Sequence, residues 1–163
     1  MSAYGTMDQA SPGLLYGLNH DIESKAVAED DTFDFGDPVF VEPDVADIAA
    51  KADDENDDLV FDGVAIISQR STSVSQSEYP EYDAMNVLKG GMVWVNVPDD
   101  EGDTANRAVY VIHDQDNADY EKFTAEPTNT FYVRCAMFKT NPNSDHMAVI
   151  ELAHPCPPEA EES

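Results

Sequence analysis

The chain has 163 residues, enough for one domain that buries a core of its own without staples. Its 34 Asp and Glu against 8 Lys and Arg give a net charge of −26, which repels phosphate backbones and anionic lipids and argues against direct nucleic-acid or membrane-surface binding. Hydrophobic residues at 42% separate it from disordered polyanions, and no apolar run approaches the roughly 18 residues of a membrane span.

Residues 1–28 combine small residues, Gly and Pro with apolar anchors at Leu14, Leu15, Tyr16, Leu18 and Ile22. These follow neither a strand nor a helix period, and Gly13 and Gly17 disfavour a helix. The segment reads as an extended N-terminal arm that must bury its anchors on its own domain or on a neighbour. It lacks the basic start and apolar stretch of a signal peptide.

Gly36-Asp37 predicts a turn, and Pro38 is tolerated as the first residue of a strand that continues through Val39, Phe40 and Val41. Residues 45–52 are expected to form a short helix, and the acidic run 53–58 a loop. A mostly apolar strand follows near residues 59–68, with Gly63 as a bulge or a close approach. Residues 69–84 are Ser-rich and polar, broken by Pro80, and read as a long exposed loop or edge.

In "NVLKGGMVWVNV" two strand-like runs flank Lys89-Gly90-Gly91, which predicts a hairpin with glycines at the positive-φ positions. Val93, Val95 and Val97 share one face and are the core candidates. Met92, Trp94 and Asn96 share the other, which suits packing on the arm or on another subunit. After the turn "PDDEGD" come three further strands, carrying "NRAVYV", "FYVRCAMF" and "HMAVIEL". The tail 156–163 is expected to be mobile. The pattern predicts an all-β fold, a small barrel or sandwich over residues 29–155, with long acidic loops.

Nothing in the sequence points to catalysis. His20, His113, His146 and His154 lack the spacing that places two ligands on one metal. The acidic runs 53–58, 99–103 and 114–121 invite a calcium reading, but the last has Ala118 and Asp119 where an EF-hand loop needs an oxygen ligand and Gly. Solvated acidic loops are expected instead, with no metal and no cofactor. There is no nucleophile elbow, P-loop or dinucleotide fingerprint. Cys135 in a strand and Cys156 in the tail are expected to be a buried thiol and a tail thiol of a protein made in a reducing cytoplasm, rather than a bridge.

The ordered set of motifs resembles the structural cement, or head decoration, proteins of tailed bacteriophages. The carriers are His20-Asp21-Ile22-Glu23-Ser24 after the arm, Phe35-Gly36-Asp37-Pro38-Val39, and Phe61-Asp62-Gly63-Val64-Ala65. The run from Val87 and Leu88 through Gly90 to Val93-Trp94-Val95 and Val97 is the most telling. Val109-Tyr110-Val111, Ala136-Met137-Phe138-Lys139-Thr140 and Ala148-Val149-Ile150-Glu151-Leu152 follow in order. The Gly-Asp that precedes the Val-Tyr-Val strand in the family is absent here.

The resemblance implies a non-enzymatic β-barrel-like domain with an arm, often a homotrimer. It would sit on the outside of the phage head and brace the shell between subunits of the major capsid protein. Leu14, Leu15, Tyr16, Leu18, Ile22, Met92 and Trp94 are the expected subunit or capsid contacts. A receptor- or carbohydrate-binding β-module on the virion surface, and an acidic DNA-mimic inhibitor, are the competing readings.

Overall fold

The computed structural model describes residues 10–67, 78–153 and 156. Eleven strands and no helix are found among them: β1 (Leu15–Val27), β2 (Phe33–Asp34), β3 (Pro38–Val41), β4 (Ile48–Ala49), β5 (Val60–Ala65), β6 (Glu78–Tyr79), β7 (Ala84–Asn96), β8 (Ala108–Val111), β9 (Phe123–Thr124), β10 (Phe131–Phe138) and β11 (Met147–Leu152). The main sheet runs β3-β5-β7-β11-β10-β8-β9, with β1 on β7 and β4 on β1, and β2 and β6 form a separate pair.

The alternation expected of the valine strand holds. Val93, Val95 and Val97 are fully buried, while Met92, Trp94 and Asn96 are half-buried. The hairpin expected at Lys89-Gly90-Gly91 does not form; β7 is one continuous 13-residue strand. Its partners explain why. β1 accompanies β7 along nearly its whole length, from Ala26↔Ala84 to Leu15↔Val93. The opposite edge is shared: β5 pairs with Val87 and Leu88, and β11 takes over from Gly91 to Asn96. The glycines therefore mark a handover between partners within one strand. Gly91 has φ +123°, and a Cβ there would meet the His20 ring at 2.7 Å.

The segment expected as a helix at residues 45–52 instead makes turns and the short β4. Phe40 and Ala50 exchange both backbone hydrogen bonds, and β4 pairs in parallel with Ala26 and Val27. Ala49 and Ala52 are fully buried. Burying these alanines against β1 and β3 outweighs a weak helix propensity. Gly63 does make the predicted close approach: a Cβ there would lie 2.2 Å from the Leu88 carbonyl oxygen. The register of β3 against β5 slips beside it.

The sheet curls until β3 faces β10 across the main core. Phe40 packs edge-to-face on Phe131, with centroids 4.9 Å apart, and on Phe61 at 5.6 Å. The Tyr120 hydroxyl donates to the Ala52 carbonyl, tying the β8–β9 connection to the β4–β5 connection. The main core holds Val64, Leu88, Val93, Val95, Val109, Val111, Val133, Phe138 and Ile150 among others. A second core, with Phe33, Tyr79, Met85 and Val87, lies between the β2–β6 pair and the other face of the sheet. This second layer explains why all four residues of β3 are buried, where the sequence pattern implies one solvated face.

Candidate functional site

The arm reading of the N-terminal residues meets a strand here. The segment is extended, and its backbone pairs with β7: Trp94 N–H donates to the Leu14 carbonyl, and Gly13 N–H to the Trp94 carbonyl. This ladder brings together four of the seven expected contact residues. Tyr16 stands opposite Met92, and its ring packs edge-to-face on Trp94 with centroids 6.1 Å apart. Leu14 is half-buried beside them, and a Cβ at Gly17 would come within 3.2 Å of the Met92 Cε. Leu15 faces inward and packs on the main core. Ile22 stands apart, opposite Leu88 and beyond two register slips that surround Asp21. The Leu18 side chain lies outside the described residues, as do residues 1–9.

Two large apolar side chains stay exposed on β1, one in this ladder and one apart from it. Tyr16 is 46% and Ile22 45% exposed, in a chain whose surface is dominated by carboxylates. Large apolar side chains left in water at the rim of an ordered sheet suit contact with another macromolecule.

The acidic runs use their carboxylates on their own backbone. Asp53 accepts from Glu55 N–H and Asp114 from Asp116 N–H, each at 2.9 Å. Asn56 and Asn117 make the same turns. Glu101 turns inward and accepts from the Thr124 hydroxyl and the Ala125 N–H. No group of three or more metal-capable side chains is gathered among the described residues. Most of the Ser-rich run, residues 68–77, and His154 lie outside them.

Sequence reasoning missed two charge clusters. In the first, Lys89 bridges Glu23 and Asp62 across β1, β7 and β5. Lys25, only 7% exposed, donates to the Ala46 carbonyl at 2.6 Å and lies 3.9 Å from Asp62. In the second, Lys51 joins Asp37 at 3.4 Å to Glu121 at 3.0 Å, closing the barrel end between strands distant in sequence. Burial, and secondarily Glu121, raises the Asp37 carboxyl from its ordinary 3.8 to about 7. Burial and Glu121 likewise push the Tyr120 hydroxyl up. No local motif announces either cluster, because each spans several strands.

The cysteine expectation is overturned: Cys135 and Cys156 form a disulfide, with Cα atoms 5.8 Å apart. Register is the reason. Ala136 pairs with Leu152, and Ala153 N–H donates to the Cys135 carbonyl, so the chain just after β11 runs beside Cys135. Cys135 itself sits at φ +61°, inside a bulge where residues 134–136 are looped out between Val133↔Val109 and Met137↔Ala108.

Comparison with known proteins adds the following. The profile of a family described as structural cement protein (E217 gp24/Pam3 gp6) matches residues 2–153. Among solved structures, a chain from "The capsid of Myoviridae Phage XM1" superposes with a TM-score of 0.71 at 17% identity, over 88% of this chain and 90% of that one. Comparison with curated proteins finds no match.

Proposed function

The chain belongs to the phage structural cement protein family and stabilises a capsid as a decoration protein; from that premise we propose that it binds the outer face of the head and bridges neighbouring subunits of the major capsid protein. The family match, spanning residues 2–153, is the observation that carries this reading. A two-core β-body and the exposed Tyr16 and Ile22 on β1 support this reading.

Tyr16, Ile22, Met92 and Trp94 are the contacts we assign to the shell or to a sister subunit, with Leu14, Leu15 and Leu18 supporting them. Each such contact is small, but many copies on one shell act together, and avidity multiplies modest affinities. Cyclic closure as a homotrimer would bury part of the apolar rim and hold sister copies in fixed register. The carboxylate-rich loops then face solvent and keep decorated particles apart. A brace of this kind works without catalysis, metal or cofactor, after synthesis in the host cytoplasm.

Quantitative mass spectrometry of purified particles tests the location. The reading expects this chain at a fixed stoichiometry to the major capsid protein, and its absence from mature particles contradicts it. Sedimentation equilibrium tests the assembly state, with three times the chain mass expected.

A further inference from the structure

Where β5 and β11 part company along β7, a wedge opens between β5 and β10. It is a cleft of about 390 Å³, floored by Leu59 and Leu152 and walled by Val60, Phe61, Phe131 and Tyr132. Val60 is 51% and Tyr132 53% exposed, so its rim is apolar. Arg134, Lys89 and Asp62 line it too, and the Cys135–Cys156 bridge bounds one end.

One charged group lining this cleft lacks an oppositely charged partner among the described residues. Among the described residues, the half-buried Arg134 donates to the Cys156 sulfur at 3.0 Å and pairs with no carboxylate, in a chain carrying 34 acids. Lys25, Lys51, Lys89 and Lys122 have such partners; Arg107 and Lys139 have none among the described residues, but both are exposed to solvent, unlike Arg134. Asp62, with a side chain only 6% exposed, is already paired: its Oδ1 meets the Lys89 ammonium and its Oδ2 lies 3.9 Å from the Lys25 ammonium. A guanidinium presents a planar fork suited to a carboxylate.

Resting on the shell-binding reading above, we propose that this cleft is a socket for an extended segment of the shell protein that offers a carboxylate to Arg134 and an apolar side chain to Val60, Phe131 and Tyr132. Charge selects this occupant. The chain carries a net charge of −26, and a half-buried guanidinium that meets no carboxylate among the described residues, set beside apolar walls, admits an acidic side chain.

The test is a binding titration of purified full-length protein on heads lacking it, comparing wild type with Arg134→Glu and Lys139→Glu. Lys139 is an exposed cation outside the cleft. Arg134→Glu is expected to weaken binding tenfold or more, and Lys139→Glu less than twofold, with unchanged thermal midpoints for both isolated proteins. Tyr132→Ala, which leaves charge alone, is expected to weaken binding at least threefold. Equal binding by wild type and Arg134→Glu overturns the socket while leaving the cement reading intact; failure of wild type to bind at all overturns the cement reading instead.

Two other occupants give distinct outcomes, and each overturns the proposal. If Arg134→Glu dissociates an oligomer of the isolated protein, a second copy fills the cleft. If deleting residues 157–163 strengthens binding and abolishes the effect of Arg134→Glu, the chain's own acidic tail fills it.

Discussion

Asp37 couples the closure of the barrel to pH. Its carboxyl titrates near 7 in the folded protein, against about 3.8 when exposed. The folded state therefore holds a proton that the unfolded chain has released, throughout the interval between those values. Asp37 thus adds stability as pH falls from above 7 toward 4, and that contribution is lost as pH rises through 7. Asp37→Asn should remove this dependence. Denaturation between pH 5 and 8 should show the wild type losing on the order of 1–2 kcal/mol more than the variant, given about 1.4 kcal/mol per pKa unit and some solvent screening. Identical slopes would contradict the assignment. Gly63 makes a second prediction at this scale. A methyl group there would press 2.2 Å from a backbone oxygen that cannot swing away, whereas nothing lies within 4 Å of a Cβ at Gly102. Gly63→Ala is expected to cost at least about 3 kcal/mol or abolish folding, and Gly102→Ala to leave the melting temperature within a degree or two. The close approach at Gly63 was legible because a lone glycine inside an apolar strand signals one. The Asp37–Lys51–Glu121 group was not, since its members come together only when the sheet closes.

At the scale of elements, period-2 patterning located the valine face of β7 and the strands around Val109 and Ile150. It failed where a strand changes partners. Gly90-Gly91 carries the chemistry of a hairpin turn, but β1 runs past the glycines on one edge while β5 and β11 share the other, and this sheet topology keeps β7 straight. It failed again at residues 45–52, where pairing with β1 and β3 overrode local propensity. The disulfide was illegible for a related reason, because the proximity of Cys135 and Cys156 depends on the β10–β11 register. That bridge closes a loop with a sequence separation of 21. Loop-closure entropy gives about 3 kcal/mol for a loop of that length, so replacing both cysteines with Ala should lower the unfolding free energy by roughly that amount, measured by urea denaturation with and without reductant. Phe40, 1% exposed on β3, makes edge-to-face ring contacts with Phe131 of β10 and Phe61 of β5. Phe40→Ala should cost about 3–5 kcal/mol in the same assay.

At the scale of the whole molecule, the sequence conveyed the all-β class and the cement resemblance, because both rest on strand motifs in a fixed order. It did not convey the second core under the β2–β6 pair, which needs Phe33 and Tyr79 to meet across 46 residues. Nor did it mark the cleft between β5 and β10, which exists only because one strand edge is shared by two partners. The second core adds packing to the body, and a well-packed body suits a brace, since a soft domain would yield under load before the shell did. At this scale the net charge of −26 also makes copies of the chain repel one another and nucleic acid.

The most direct measurement is the heat-induced release of DNA from heads that lack this protein, with and without the purified chain added back at saturating concentration. The account predicts that added protein binds and raises the release temperature by several degrees, and that Tyr16→Asp with Trp94→Asp forfeits most of that gain. Heads that bind the protein yet release DNA at an unchanged temperature would contradict it.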